Sequence, residues 1–303
     1  MSVSPFLWVP FTLAAAMAQV FRNAFQSKLS ARIGTIGGTQ VRFVYGLPFA
    51  AVLLAIYLAI VPAPFPTIPP EALAWSFAGS VTQIVATALM LVVMAKRDFG
   101  VAYAYIKTEP VTVALLGLVL IGDRLPWLGW VAVLIVTIGV VMSSLRAGDD
   151  ASQLAEWKPL VVGVASGALF GLTAICFRAS IDLVPEGTFM MRSLVMLVVS
   201  LAIQSATLAV WFVVKDASGF WGSVREWRLS VVAGALGAIA SAGWFISFSL
   251  TIAANVRTLA LIEMPVVALV SRYVSGRWLT AREWAGFALI TVGVALLMFA
   301  HAA

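Results

Sequence analysis

The chain has 303 residues, 62% of them hydrophobic and only 11% charged, with a mean hydropathy of +1.03. That is too little polar surface to cover a water-soluble globule of this size, so the composition calls for a bilayer. The net charge of +6 comes from nineteen Lys and Arg scattered singly between apolar runs rather than in the basic stripe of a nucleic-acid-binding protein, and one Cys (Cys176) with one His (His301) excludes an internal disulfide framework and a thiolate or imidazole metal site.

Each bilayer crossing takes about 20 apolar residues. Breaks at charged or Pro-rich clusters divide the chain into ten spans, near 6–28, 36–61, 71–95, 99–120, 126–145, 159–181, 187–213, 228–252, 255–273 and 281–301. Met1 to Pro5 carries no Lys or Arg, so the first segment lacks the charged start of a secretory signal and reads as a retained helix. It bears a polar stripe of Gln19, Arg22 or Asn23, and Gln26. Arg22 and Arg42 lie near the cytoplasmic ends of their helices, within snorkelling reach of the headgroups. Snorkelling is the expectation for Arg22. Arg42 follows Gly37, Gly38, Thr39 and Gln40 in a polar helix start, so an anchoring role and binding of a substrate carboxylate both remain open.

The third span carries Ser76, Ser80, Gln83 and Thr87 at spacings of four, three and four, one polar stripe on an otherwise apolar helix. Such a stripe must face protein or water rather than lipid. In the fourth span Lys107 precedes Glu109 by two positions and therefore points about 200° away around the helix. The two cannot neutralise one another, so at least one needs a partner on another helix. Pro110 follows at once; it leaves a carbonyl one turn earlier free, to bind substrate or merely to mark a kink. With Tyr103, Tyr105 and Trp75, these residues are candidates to line a cavity; the alternative is interhelical hydrogen bonding with aromatics at the interface.

The segment 146–158 is charge-rich and apolar-poor, the natural linker between two halves of five spans. Beyond it, Gly163, Gly167 and Gly171 repeat every four residues on the sixth span, and Gly234 with Ala238 on the eighth, as expected of close helix contact within a protomer or between two protomers of a homodimer. Ser241, Trp244 and Phe248 share one face of the eighth span. Arg192 and Arg257 read as interfacial. Glu263 lies mid-span in the ninth helix and is followed by Pro265.

The two intramembrane acids are related. From Glu109 to Val140 the sequence recurs from Glu263 to Val294 at one fixed offset of 154, with identical pairs that include Glu109/Glu263, Gly122/Gly276, Trp130/Trp284 and Gly139/Gly293. Ten of the 32 gapless positions match, against roughly two or three expected by composition, the mark of an internal repeat. Charge inside lipid is expensive and usually functional, so each acid is a candidate proton-coupling or substrate-amine site; a buried ion pair that fixes packing is the alternative.

Lys and Arg concentrate in the odd-numbered connections, which places those loops in the cytoplasm and both termini outside. An odd number of spans per half inverts the second copy relative to the first. The expected fold is thus an all-α polytopic membrane protein of ten transmembrane helices in two inverted five-helix repeats, 5–145 and 159–301, joined by a cytoplasmic linker at 146–158.

The run Tyr105-Ile106-Lys107-Thr108-Glu109-Pro110-Val111, then Leu116-Gly117, Gly122-Asp123-Arg124-Leu125 and Gly129-Trp130 up to Gly139, resembles the EamA-type repeat of the drug/metabolite transporter superfamily. The second half keeps Pro265, Gly276 and Gly293 but has Arg277 in place of the usual acid, and its proline comes two residues after Glu263. The resemblance implies ten helices in inverted repeats and export or exchange of small organic metabolites.

The expected function is secondary transport by alternating access of amino acid-like or amphiphilic and aromatic metabolites, with proton coupling as an option, in a bacterial-type inner membrane. An uncoupled facilitator or channel is the main rival. A membrane-embedded enzyme is disfavoured, because the chain lacks a His, Asp or Cys constellation, and it has no phosphate-cradling loop for ATP hydrolysis. The expected partners are the lipid bilayer and a small-molecule substrate, with no nucleic acid, cofactor or metal. The candidate pathway residues are Glu109, Glu263, Lys107, Arg42, Gln83, Thr87, Ser80, Tyr105, Trp244 and Gln19, with helix breaks at Pro110 and Pro265.

Overall fold

The computed structural model describes residues 4–62, 64–96, 105–107, 109–144, 157–215, 217–265 and 280–302. These form helices without strands: α1 (Trp8–Val44), α2 (Gly46–Ile60), α3 (Pro70–Lys96), α4 (Glu109–Leu120), α5 (Trp127–Ser144), α6 (Trp157–Asp182), α7 (Phe189–Val214), α8 (Ser218–Arg225), α9 (Trp227–Leu250), α10 (Ala253–Ala260) and α11 (Ala281–Ala302). Among the described residues, six helical stretches are long and apolar enough to cross a membrane: Trp8–Ile60, Pro70–Lys96, Lys158–Asp182, Phe189–Val214, Trp227–Leu250 and Ala281–His301. Large apolar side chains point outward, Val213 at 87% and Val119 at 77% exposure, while Arg22, Gln26, Gln40 and Gln204 are buried. That inversion of the soluble pattern is what a lipid-facing bundle requires.

Trp8–Ile60 is not one rod. At Gly34 the backbone turns to φ 79°, ψ 165°, and the Gln26 side-chain amide donates to the Gly38 carbonyl at 2.9 Å. In a straight helix those residues would lie about 18 Å apart along the axis. The stretch therefore folds back into two arms, with Leu29 and Val41 in one apolar cluster between them. The second arm passes from α1 into α2 at Tyr45, which keeps right-handed helical angles (φ −78°, ψ −20°). Pro48 accounts for the break there, because it cannot donate to the Val44 carbonyl one turn back.

Two other expected spans are discontinuous. Lys107 occupies a turn immediately ahead of α4, and α10 stops at Ala260, where Leu261 and Ile262 form a turn before the chain becomes helical again at Glu263. Lys107 and Leu261 are equivalent positions of the sequence repeat. The rest of those spans, 99–104 and 266–273, and the linker up to residue 156 lie outside the described residues; Trp157 and Lys158 already belong to α6. The short helix α8, between the charges of Lys215 and Arg228, was not anticipated.

Helix contacts follow a pattern. If α1, α2, α3, α4 and α5 are exchanged with α6, α7, α9, α10 and α11, the contact α1–α9 becomes α6–α3, α4–α6 becomes α10–α1, and α2–α9 becomes α7–α3; all of these contacts exist, and α4–α10, α2–α7 and α5–α11 map onto themselves. The same reciprocity holds in atomic detail. A Cβ on Gly139 would lie 2.7 Å from the Gly286 carbonyl oxygen and 2.9 Å from Ile290, and one on Gly293 would lie 3.1 Å from the Ala132 oxygen and 2.5 Å from Val136. Residues 286, 290 and 293 are 132, 136 and 139 at the offset of 154.

The glycine stripe of α6 packs within the chain. A Cβ on Gly163 would sit 2.5 Å from Tyr105, one on Gly167 would collide with the Ile106 carbonyl, and one on Gly171 would approach Val113 at 3.2 Å. Gly234 likewise lets Tyr45 pack directly on α9.

Candidate functional site

At the turn ahead of α4, Lys107 crosses to Glu263, with Nζ 2.5 Å from Oε1. Arg257, on α10, crosses in the other sense, its Nε 3.0 Å from Glu109 Oε1. All four side chains are buried. Each acid of the repeated pair is thus neutralised by a cation from the opposite half of the sequence. Lys107 lies in the turn ahead of α4, and its charge, like that of Glu109, is met from the facing broken helix.

Aromatic and amide groups surround the pairs. The Arg257 guanidinium lies 4.7 Å from the centre of the Trp244 ring and 5.4 Å from that of Phe248. Trp244 donates its indole N–H to Gln19 at 3.2 Å, and Arg22 donates to Asn23 Oδ1 at 2.8 Å. Gln19, Arg22, Asn23, Lys107, Glu109 and Arg257, with Met90, Ile106 and Phe170, line a cavity of about 20 Å³. That is room for about one water. Next to it Arg42 donates to the Thr87 hydroxyl at 3.3 Å, Thr87 donates to the Gln83 carbonyl at 2.8 Å, and Gln204 donates to the Gln83 side chain at 2.7 Å.

The structure brings Gln19, Lys107, Glu109, Glu263 and Trp244 into one cluster, with Arg42, Thr87 and Gln83 as a second tier. Ser80 and Ser76 lie elsewhere, bonded to Ser200 of α7 at 3.2 and 2.9 Å, as interhelical hydrogen bonding predicts for a polar stripe. Tyr105 packs on Val93 and Gly163 away from the cavity lining, and Trp75 is half-buried; Tyr103 lies outside the described residues. The Ile106 oxygen freed by Pro110 abuts Gly167, and the Leu261 oxygen freed by Pro265 accepts from the Met264 N–H at 3.0 Å.

Two expectations are overturned. Arg22, expected to snorkel, is 1% exposed, and Arg257, expected at the interface, is 6% exposed and paired with Glu109. Distance along the sequence from a helix end is a poor guide to depth when the helix belongs to a hairpin or is itself broken. The signal for Arg22 was its stripe, since Gln19, Asn23 and Gln26 beside it require a protein-facing side.

A second charged group closes the end of the bundle that holds both termini. Arg178, on α6, lies 3.1 Å from Asp123 and 3.6 Å from Asp182, and donates to the carbonyls of Phe248 and Thr251 at 2.9 and 2.6 Å. Gly122 makes this geometry: at φ +72° it ends α4 with the Asp123 N–H bonded six residues back to Gly117, which presents the Asp123 carboxylate to Arg178. Burial raises the Asp123 carboxyl above its ordinary range, against the opposing pull of Arg178. At the opposite end, Arg32 meets Glu226 at 2.9 Å and Gln40 donates to Ser223 at 2.6 Å, joining the first hairpin to α8 and the start of α9.

No protein-family model and no curated protein sequence matches the chain. A solved crystal structure shares its fold, with a TM-score of 0.67 at 18% identity over 96% of this chain and 96% of that one. At that identity the likeness speaks to the fold alone. His301, Asn255, Thr251 and Arg124 line a further cavity of about 210 Å³ at the end holding the termini.

Proposed function

We propose that this protein is a secondary transporter of small organic metabolites, working by alternating access between two inverted five-helix repeats, and that it belongs with the EamA-type members of the drug/metabolite transporter superfamily. The observation that carries this reading is the crossed pair of ion pairs, Lys107 with Glu263 and Arg257 with Glu109, set where two equivalent helices break. Discontinuous helices that meet near the midplane at a repeat interface are a recurrent substrate-site design in transporters. The reciprocal contacts of α5 with α11, and of the helix pairs that exchange, support inverted repeats.

The ten-span reading takes Trp8–Ile60 as two arms and treats the broken α4 and α10 regions as crossings. Lys and Arg in the odd connections support a cytoplasmic linker and outward termini. Among the described residues the central cavity has about 20 Å³ of free room, less than a small metabolite needs, in keeping with a cycle in which the helices around it rearrange. The acids provide a route for proton coupling: protonating either releases its cation, so movement of a proton and opening of the crossing are linked.

The test is uptake and efflux of a labelled metabolite panel in proteoliposomes of the purified protein, with and without an imposed pH gradient. Saturable movement of at least one compound is expected. Fluxes equal to those of empty liposomes across the panel contradict transport, and saturable flux that ignores the gradient contradicts proton coupling alone.

A further inference from the structure

Among the described residues, Arg42, Lys107 and Arg257 are buried in and beside the central cavity, against two carboxylates, Glu109 and Glu263. Both carboxylates are engaged by Lys107 and Arg257. Arg42, at 3% exposure, meets the Thr87 hydroxyl and, 5.1 Å away, the ring of Phe43, neither of which carries charge. A guanidinium does not shed its proton in a protein, so the excess is fixed positive charge. Excess charge at this depth is costly unless something of opposite sign is at hand.

We propose that the site takes a small organic anion, bearing a carboxylate or a phosphate ester, with Arg42 as its principal anchor. This rests on the transport reading above and names the substrate class for it. Guanidinium groups match the planar carboxylate and the phosphate oxygens with paired N–H donors. Gln19, which lines the cavity, offers a neutral hydrogen-bonding group for the rest of the molecule. A cationic substrate meets the opposite situation: it faces the excess positive charge, and the Trp244 face that would receive it is covered by Arg257.

Counterflow in proteoliposomes tests this with four probes: succinate and glycerol 3-phosphate as anions, alanine as a zwitterion and choline as a cation. Exchange of either anion, without choline exchange, is expected, and whichever anion moves identifies the head group. Arg42→Gln should slow that exchange about thirtyfold or more, with Arg42→Lys retaining part of it and the change of the exposed Lys215→Gln leaving it unaltered. Should Arg42→Gln fail to insert or fold, the wild type still decides, through thermal stabilisation in detergent by the anions and not by choline. Exchange or stabilisation confined to alanine or choline overturns the anion assignment and leaves transport standing. Exchange of no compound, here or in the wider panel, removes both.

Discussion

Lys107 finds its partner across the interface between the two halves of the sequence. A helical spacing of two would set Lys107 away from Glu109; in the structure Lys107 lies in the turn ahead of α4 and meets Glu263 across the interface. Its burial sets the energetics. Breaking one partner of a buried pair leaves a lone charge and costs about 3–5 kcal/mol, whereas removing both costs far less. Lys107→Met should therefore lower the unfolding temperature in detergent by more than the double substitution Lys107→Met with Glu263→Gln; equal losses would show that the pair contributes nothing as a pair. Arg257 was not legible in the same way. Its place early in a helix reads as interfacial only if helix ends coincide with the membrane surface, and α10 is an eight-residue segment packed against α4.

At the scale of elements, small residues do most of the placing. Gly167 lets the Ile106 carbonyl, orphaned by Pro110, rest against α6 without a side chain between them. A methyl group there must displace backbone, so Gly167→Ala should destabilise by about 1–3 kcal/mol, more than Gly171→Ala, whose Cβ would meet the Val113 methyl at 3.2 Å. Thermal unfolding of the two variants in detergent measures the difference, and equal melting would contradict the contact. The glycine stripe was readable from its spacing of four, as were most helices from their apolar runs. The first hairpin was readable from Lys28 and Arg32, although its turn falls at Gly34. The sequence did not disclose α8, because a short segment flanked by Lys215 and Arg228 has the composition of a loop. The breaks in α4 and α10 were signalled by Pro110 and Pro265, but the fate of the freed carbonyls depended on neighbours that no local pattern specifies.

For the whole molecule, the repeat read from ten identities has a spatial counterpart. The contacts α1–α9 and α3–α6, α4–α6 and α1–α10, and α2–α9 and α3–α7 interchange when the two sets are exchanged, and the acids related by the repeat lie in one charged crossing. Arg178 with Asp123 and Asp182 joins the halves at one end, while Arg32 with Glu226 joins them at the other. On the proposed reading, alternating access breaks one set of these contacts at a time around the crossing. The decisive measurement is the initial rate of labelled-metabolite exchange in proteoliposomes of wild type, Glu109→Gln and Glu263→Gln. Exchange by the wild type, with each substitution slowing it about tenfold or more, is the predicted result. Wild-type rates in both variants, or a wild type indistinguishable from empty liposomes, would contradict the claim that these crossed acids are the working centre of a transporter.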